Sequence, residues 1–234
     1  MKRFKNEKYN KFANVEHDFK AEASGDSTEI TIYGDIGESW WGDSTSAKDI
    51  KEALKNVDSD SITIRLNSPG GDVFDGIAIY NQLKDHKAKV TVYVDGLAAS
   101  AASIIAMAAD EIVMNTGSMM MIHEASTWTW GTKTDIRKTL NALEGIDKSI
   151  ADIYMTRYEG EKSEIETMIQ NETWFTSSEA VEIGLADRVN EVVEEDELDP
   201  EDYKNSILNK FRNSRQPVSA SAGQKTLLSK FKRQ

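Results

Sequence analysis

Stretches with a strand-like pattern alternate along the chain with stretches that have helical spacing. The strand-like stretches, several with β-branched residues in alternation, are 27–33, 61–67, 89–94, "EIVM" and "MMMIH". The helical stretches are 46–57, 72–86, 101–110, 133–157 and 176–187. Strands that alternate with helices predict an α/β fold in which helices cover a largely parallel sheet.

The two ends of the chain lack this alternation. Residues 1–26 are polar and weakly patterned, so we expect a mobile N-terminal arm there and one domain over 27–190. An acidic run followed by a basic run fills 191–234. Such a tail is either flexible and solvated or docks onto a partner.

Composition excludes several classes of protein. The net charge of -12 argues against nucleic acid as the main partner. The chain has no cysteine, which excludes disulfides and cysteine metal sites, and we expect neither a metal nor a cofactor. Without an apolar run of bilayer length or a signal peptide, the expected location is the cytoplasm, with no membrane contact.

Three short stretches contain candidate chemistry, and the first is "NSPGGD" at 67–72, between a strand and a helix. Its glycines can adopt conformations closed to other residues, so the turn can aim backbone N–H groups into a cleft. Such groups suit a developing oxyanion. The alternative is a tight turn without a chemical role.

The second stretch is "GLAASAAS" at 96–103, where a strand ends and an apolar helix begins. Ser100 lies at this junction, where a helix N-terminus favours negative charge and where a nucleophilic serine would be well placed. The alternative is that Ser100 only caps the helix. Ser103, inside the helix, is expected to face the core or to bond back to a carbonyl.

The third stretch is "MMMIHEAS", in which His123 ends an apolar strand. His17 falls in the predicted arm and His86 ends a helix that looks exposed, so His123 is the candidate general base. A histidine with a structural role only is the alternative.

Taken in order, the three stretches resemble the proteolytic subunit of the Clp protease (ClpP) and its phage relatives. "NSPGG", "G-x-A-A-S" and "MIH" have that family's order and spacing, and "F-x-S-x-EA-x-E-x-GL-x-D" (175–187) and "G-x-x-IY" (76–80) fit it too. The resemblance covers about 28–190. It implies a ClpP/crotonase-like α/β spiral of β-β-α units, with 133–157 as a protruding handle helix.

The resemblance also implies a role for each candidate residue. Ser100 matches the nucleophile and His123 the base, and the amides of Gly71 and Ala101 match the oxyanion hole. The implied activity is that of a serine endopeptidase with an acyl-enzyme intermediate.

The third member of the catalytic set is where the chain departs from the family. The family's aspartate lies two residues before the aromatic that aligns with Phe175, a position held here by Thr173. Glu172 is its neighbour in the chain. Three alternatives stay open: Thr173 orients His123, Glu172 reaches it through a local shift, or the site works as a dyad.

Two features favour the phage branch. The segment 34–54 resembles phage prohead proteases, which trim scaffold or capsid protein, and the N-terminal arm is unlike the segment with which Clp subunits meet their ATPase. We therefore expect a head maturation protease, in the host cytoplasm if phage-encoded. The alternative is the proteolytic subunit of an ATP-dependent Clp protease that works with an AAA+ unfoldase. Either way a homo-oligomer is expected, as heptameric rings stacked through the handle helix.

Four tryptophans and two rival functions complete the expectations. Trp40 and Trp41 belong to the core or to a subunit contact, and Trp128 and Trp130 line the substrate groove or pack beneath a loop. One rival is a crotonase-type enzyme that binds acyl-CoA, which Ser100 together with His123 disfavours. The other is a degenerate subunit that only scaffolds an assembly.

Overall fold

The computed structural model describes residues 14–24, 26–38 and 43–190. Within these residues the strands are β1 (Asp18–Ser24), β2 (Ser27–Tyr33), β3 (Ser61–Ser68), β4 (Lys89–Ala99), β5 (Glu111–Asn115), β6 (Met119–Ile122), β7 (Thr173–Thr176) and β8 (Arg188–Asn190). The helices are α1 (Ala47–Leu54), α2 (Val73–Lys84), α3 (Ala101–Ala106), α4 (Lys133–Tyr154), α5 (Lys162–Gln170) and α6 (Ser177–Glu182).

One mixed sheet organises the described residues. Its main path runs β1-β2-β3-β4-β5-β8, in which the β1–β2 pair is antiparallel and the other pairs are parallel. Strand β6 leaves this path, pairs in parallel with the end of β4, and carries β7 on its other edge as an antiparallel partner. The prediction of an α/β fold with a largely parallel sheet is confirmed.

Alternation along the central strands explains their burial. In β3 every second side chain is buried, which puts Ile62, Ile64 and Leu66 in the core. The first half of β4 repeats this with Val90, Val92 and Val94. β-branched side chains suit such a pleated, packed surface, and burying each of them stabilises the fold by about 1.5–3 kcal/mol.

Strand β4 changes partners along its length. Thr91–Val94 pair with β5, whereas Leu97–Ala99 pair with β6. Between the two halves the register with β3 shifts, and the side-chain amide oxygen of Asn67 accepts a hydrogen bond from the Leu97 N–H at 3.1 Å. A bulge of this kind redirects a strand. It carries the end of β4 towards β6.

Helix α3 begins directly after β4 and is buried over its whole length. Its small residues let neighbouring backbone come close, since a Cβ added to Gly76 of α2 would lie 3.0 Å from the Ala101 Cβ. Helix α2 is capped by the Asp72 carboxylate, which accepts from the Phe74 and Asp75 N–H groups at 2.9 and 3.0 Å. These contacts fix the position of the 67–72 turn beside the start of α3.

The structure corrects the second half of the predicted N-terminal arm, whereas residues 1–13 lie outside the described residues. Residues Asp18–Ser24 of that segment form β1, which pairs with β2 along its whole length. His17, also assigned to the arm, lies against Gly34, and its Nε2 is 3.3 Å from the Thr45 Oγ1. The strand escaped prediction because "DFKAEAS" alternates alanines with charged residues and has one large apolar side chain, Phe19.

Several other boundaries also differ from the predictions. Helix α4 stops at Tyr154 and α6 covers only Ser177–Glu182, while α5, β7 and β8 were not predicted at all. Three- and four-residue strands are too short for alternation to be visible. Within the described ranges no helix is both long and apolar enough to cross a bilayer. Trp40, Trp41 and the charged tail from residue 191 lie outside the described residues.

Candidate active site

Ser100 occupies the sharp junction between β4 and α3. Its backbone has φ 56° and ψ -126°, a region that residues other than glycine rarely adopt. Its N–H donates to the Met121 carbonyl at 2.9 Å, which ties the junction to β6. Its side chain makes no capping hydrogen bond to α3, so the interpretation of Ser100 as a simple helix cap is wrong. Strained backbone of this kind persists where surrounding contacts impose it, often at functional sites.

The turn beside Ser100 approaches it closely because Gly70 has no side chain. A Cβ at Gly70, where φ is +87°, would lie 2.6 Å from the Ala99 carbonyl oxygen and 2.7 Å from the Ser100 Cβ. Both distances are too short for real atoms. The glycine therefore allows the 67–72 turn to form one wall of the site.

His123 follows β6, and the pairing of the strands explains why it meets Ser100. Ala99 of β4 is paired with Met121 of β6, so both strands end at the same edge of the sheet. The His123 Nε2 lies 2.8 Å from the Ser100 Oγ. With the proton on Nδ1, Nε2 can accept the hydroxyl proton, which is the arrangement of a nucleophile and its base.

Two residues of the cleft wall, Gly71 in the turn and Ala101 at the start of α3, are candidates to donate backbone N–H groups to a bound substrate. Ile36 bridges the turn, because its N–H donates to the Gly70 carbonyl at 3.0 Å and its carbonyl accepts from the Asp72 N–H at 2.9 Å. In such a parallel bridge the N–H of the middle residue, Gly71, points the other way. Ala101 is the first residue of α3, and first-turn N–H groups have no acceptor within their own helix.

Both residues line one cleft with the serine and the histidine. Its volume is about 800 Å³, and Gly71, Ser100, Ala101 and His123 all contribute to its wall. The remaining wall includes apolar side chains of α3 and α4 and the segment after His123, among them Ile104, Leu143, Ile146, Ile150 and 124–128. An apolar cleft with a few convergent polar groups is the usual form of a substrate site.

The two candidates for the third member lie on β7 and just before it. Thr173 is paired with Ile122, and its hydroxyl donates to the Met168 carbonyl at 2.7 Å. Continued by one residue, the same register places Glu172 opposite His123. Glu172 is buried and has φ 52°, so the chain makes its sharp turn at this residue.

Asp147 of α4 supports the segment after His123, a role that the sequence did not reveal. Its carboxylate accepts a hydrogen bond from the Ala125 N–H at 2.8 Å, which ties the segment after His123 to α4. Burial raises the pKa of the Asp147 carboxyl, the charge of Glu124 adds to the rise, and the hydrogen bond from Ala125 opposes it. A residue 22 positions away from its partner gives no local sequence signal.

The tryptophans after His123 are not packed beneath a loop. Trp128 and Trp130 are both almost fully exposed, and Trp128 lines the cleft. Packing beneath a loop is therefore wrong for both residues, whereas the expected position at the groove is met by Trp128. Among the described residues no cluster of three or more histidine or acidic side chains is arranged to hold a metal ion.

An α/β sheet that brings a serine and a histidine within hydrogen-bond distance at its strand ends supplies the nucleophile and base that a serine-type peptidase uses. Comparison with known proteins agrees, because residues 36–193 match the family model described as Clp protease. The chain belongs to the Clp protease family, whose members are serine-type peptidases. The ClpP/crotonase-like fold expected from the sequence accords with this membership.

Several proteins of the family are similar to the chain. It is 33% identical over 132 residues to the ATP-dependent Clp protease proteolytic subunit 1 of Chlamydia abortus. The matched segment covers 55% of the chain and 69% of that protein. Identity to subunit 1 of Protochlamydia amoebophila is 35% over 134 residues, covering 56% and 65%. Subunit 3 of Rhodococcus jostii is 30% identical over 130 residues, covering 55% and 64%.

Proposed function

We propose that the chain hydrolyses peptide bonds with Ser100 as the nucleophile and His123 as the general base. The observation that carries this proposal is the 2.8 Å approach of the His123 Nε2 to the Ser100 Oγ, at a serine whose side chain does not cap its helix. Membership of a serine peptidase family supports it. A scaffold without activity would not need this geometry.

The reaction follows from the positions of these groups. Ser100 Oγ attacks the peptide carbonyl carbon while its proton passes to the His123 Nε2. The carbonyl oxygen becomes an oxyanion that accepts hydrogen bonds from the Gly71 and Ala101 N–H groups. The imidazolium then protonates the leaving amine, and the C–N bond breaks. Water attacks the acyl-enzyme with His123 again as the base, which releases the acid and restores Ser100.

We assign the orientation of His123 to Glu172 and not to Thr173. Directly paired residues project to the same face of a sheet, so Thr173 shares the face of Ile122, one residue away from His123. Its hydroxyl proton is also engaged by the Met168 carbonyl. Glu172 is buried at the next position of the register and has a carboxylate, the group that best stabilises an imidazolium.

The pair Glu172→Gln and Thr173→Val tests this assignment. Loss of the carboxylate should lower kcat for peptide hydrolysis at least about tenfold, since general acid–base catalysis contributes 10²–10⁴-fold. Thr173→Val should leave kcat within about threefold of wild type. The opposite ranking of the two variants would make Thr173 the third member, and two unchanged rates would make the site a dyad.

The biological role that the comparisons favour is that of a Clp proteolytic subunit. The relatives described above are named ATP-dependent Clp protease proteolytic subunits, which supports partnership with an AAA+ unfoldase in the cytoplasm. Phage head maturation, the role expected first from the sequence, has no support among these relatives. Two sequence features still carry it: the resemblance of 34–54 to prohead proteases, and an N-terminal segment unlike the one with which Clp subunits meet their ATPase.

A homo-oligomer accompanies this role. The N-terminal half of α4 exposes Ile136 and Leu140, whereas its C-terminal half buries Ile150 and Ile153 against the core. Exposed apolar side chains that continue a buried stripe are typical of a subunit interface. We propose stacked heptameric rings joined through α4.

The activity is tested by hydrolysis of fluorogenic peptides at matched protein concentrations. Ser100→Ala and His123→Ala should each lower kcat by at least about 10⁴-fold. Ser149→Ala and His86→Ala, which change the same residue types away from the cleft, should retain wild-type rates. Activity that survives in Ser100→Ala would refute the proposed nucleophile.

A second assay separates the two biological roles. A folded substrate protein should be degraded only when an AAA+ unfoldase and ATP are added, if the chain is a Clp proteolytic subunit. Specific trimming of a capsid or scaffold protein without ATP would instead support head maturation.

A further inference from the structure

A buried polar pair lies directly beneath the nucleophile. Ser103 of α3 is 0% exposed and Tyr154, the last residue of α4, is 1% exposed, and their hydroxyl oxygens are 2.8 Å apart. The Ser103 Oγ is also 2.6 Å from the Ser100 carbonyl oxygen. Every other residue of α3 is apolar, so a hydroxyl here needs a reason, because burying one is costly unless it is hydrogen-bonded.

The direction of these hydrogen bonds is fixed by the number of protons. A carbonyl oxygen only accepts, so the single Ser103 hydroxyl proton is donated to the Ser100 carbonyl. Tyr154 must then be the donor to the Ser103 Oγ. Burial raises the pKa of the Tyr154 phenol, which keeps its proton in place. A chain of donors therefore runs from Tyr154 through Ser103 to the Ser100 carbonyl.

This carbonyl belongs to the same peptide plane as an oxyanion-hole donor. A peptide unit is planar and trans, so the Ser100 C=O and the Ala101 N–H point in opposite directions from one plane. Whatever holds the carbonyl in place also sets the direction of the N–H. The Ser103 and Ile104 N–H groups contact the same oxygen at 2.9 and 3.3 Å, so the hydroxyl adds a third hydrogen bond to two from the backbone.

We propose that Ser103 and Tyr154 are positioning residues, which hold the Ser100–Ala101 peptide plane so that the Ala101 N–H is aimed at the oxyanion. This role rests on the proposed function of Ser100. The hydrogen bond between Tyr154 and Ser103 also joins the C-terminal end of α4 to the nucleophile, in addition to apolar packing. The N-terminal half of α4 is exposed. The contribution of the two residues is made after the substrate has bound, because the oxyanion develops only as Ser100 attacks the carbonyl carbon.

Three variants test the proposal: Tyr154→Phe, Ser103→Ala and the double variant. Each single change should lower kcat for a fluorogenic peptide about fivefold, the value of one ordinary hydrogen bond, and leave KM unchanged. The loss of kcat in the double variant should not exceed the loss in the less active single variant, because both residues act through one chain of hydrogen bonds. A peptide aldehyde, which forms an oxyanion with Ser100, should lose affinity by the same factor.

Two matched variants serve as controls. Ser149→Ala removes a helical serine bonded to the Gly145 carbonyl at 3.0 Å, and Tyr158→Phe removes a phenol bonded to the Glu164 carboxylate at 2.9 Å. Both should retain wild-type kcat. Thermal unfolding of every variant shows whether it is folded under the conditions of the assay.

The outcomes separate this proposal from the function on which it rests. Wild-type kcat in folded Tyr154→Phe and Ser103→Ala would overturn the positioning role while Ser100-dependent hydrolysis stays intact. Losses that multiply in the double variant, or that appear in KM alone, would overturn it as well. Absence of Ser100-dependent hydrolysis in the wild-type protein would instead overturn the proposed function itself.

Discussion

Both halves of β4 pair with β3 on one side, but they differ in what they contribute to the protein. Lys89–Val94 continue the regular register with β3 and bury three valines, whereas Leu97–Ala99 follow a shift in register and bury mainly small side chains. The first half lies between two strands of the main sheet. The second half is turned towards β6 and ends at Ser100.

One strand can therefore supply both stability and chemistry. Bulky β-branched residues fill the core in the first half, where each contributes to the free energy of unfolding. In the second half the alanines leave room for Gly70 and for a serine in a strained conformation, at some loss of buried apolar area. Changes in the two halves should therefore be separable into effects on stability and effects on catalysis.

Among changes around the two halves of β4, substitution of Gly70 should have the largest effect. Gly70→Ala places a Cβ 2.6 Å from the Ala99 carbonyl oxygen and 2.7 Å from the Ser100 Cβ, so the turn or the nucleophile must move. A displacement of about 1 Å can cost about 10²-fold in rate, and we expect kcat to fall by that factor or more.

Gly117→Ala provides the control for that variant. Gly117 has nearly the same φ, +81° against +87°, but a Cβ there would meet nothing within 4 Å. The Gly117→Ala variant should be destabilised by about 1 kcal/mol through backbone strain alone, and its kcat should stay at the wild-type value. Equal kinetic losses in both variants would show that strain and not the contact with Ser100 is responsible.

The next effect is on stability, in the first half of the strand. Val92→Ala removes fully buried methyl groups and should lower the free energy of unfolding by about 2 kcal/mol, measured by urea denaturation. The kcat per folded molecule should stay within about twofold of wild type. A large loss of kcat in folded Val92→Ala would mean that the two halves of β4 are not independent.

The smallest effect on stability is expected at Asp147, which lies on α4 and outside both halves of β4. Burial raises the pKa of its carboxyl in the folded state above the ordinary value of 3.8, so the folded state favours the protonated form. Stability from this group is therefore present below pH 3.8 and is lost as the pH rises through the higher folded pKa. Asp147→Asn keeps an acceptor for the Ala125 N–H but cannot ionise.

The variant should accordingly gain stability relative to wild type between pH 4 and pH 7. We expect less than about 1 kcal/mol, because the carboxylate is only partly buried. Urea denaturation at the two pH values measures the difference. A relative loss of stability at pH 7 would show that the charge on Asp147 is favourable in the folded protein.

The sequence predicted the parts of the molecule in which a local pattern and the fold agree. Alternation identified β2, β3 and β4. Strand ends singled out Ser100 and His123 as candidates, and the family resemblance assigned their roles; the two side chains meet because parallel strands bring their carboxyl ends to one edge. Gly71 and Ala101 came from the family resemblance, and both line the cleft.

What escaped prediction depends on contacts between distant residues. The bond between Ser103 and Tyr154 spans 51 positions and has no local signature. The choice between Glu172 and Thr173 depends on strand register and on the left-handed backbone at Glu172, neither of which spacing can reveal. Strand β1 has few apolar residues and exists because the edge of β2 is available to it.

Labelling with a fluorophosphonate, followed by peptide mapping of the adduct, tests the pairing of Ser100 with His123 most directly. We expect one adduct on Ser100 in the wild-type protein, none in Ser100→Ala, and a rate of labelling lowered by at least about 10²-fold in His123→Ala. An adduct on another residue, or labelling of Ser100 that does not depend on His123, would contradict the proposed pair.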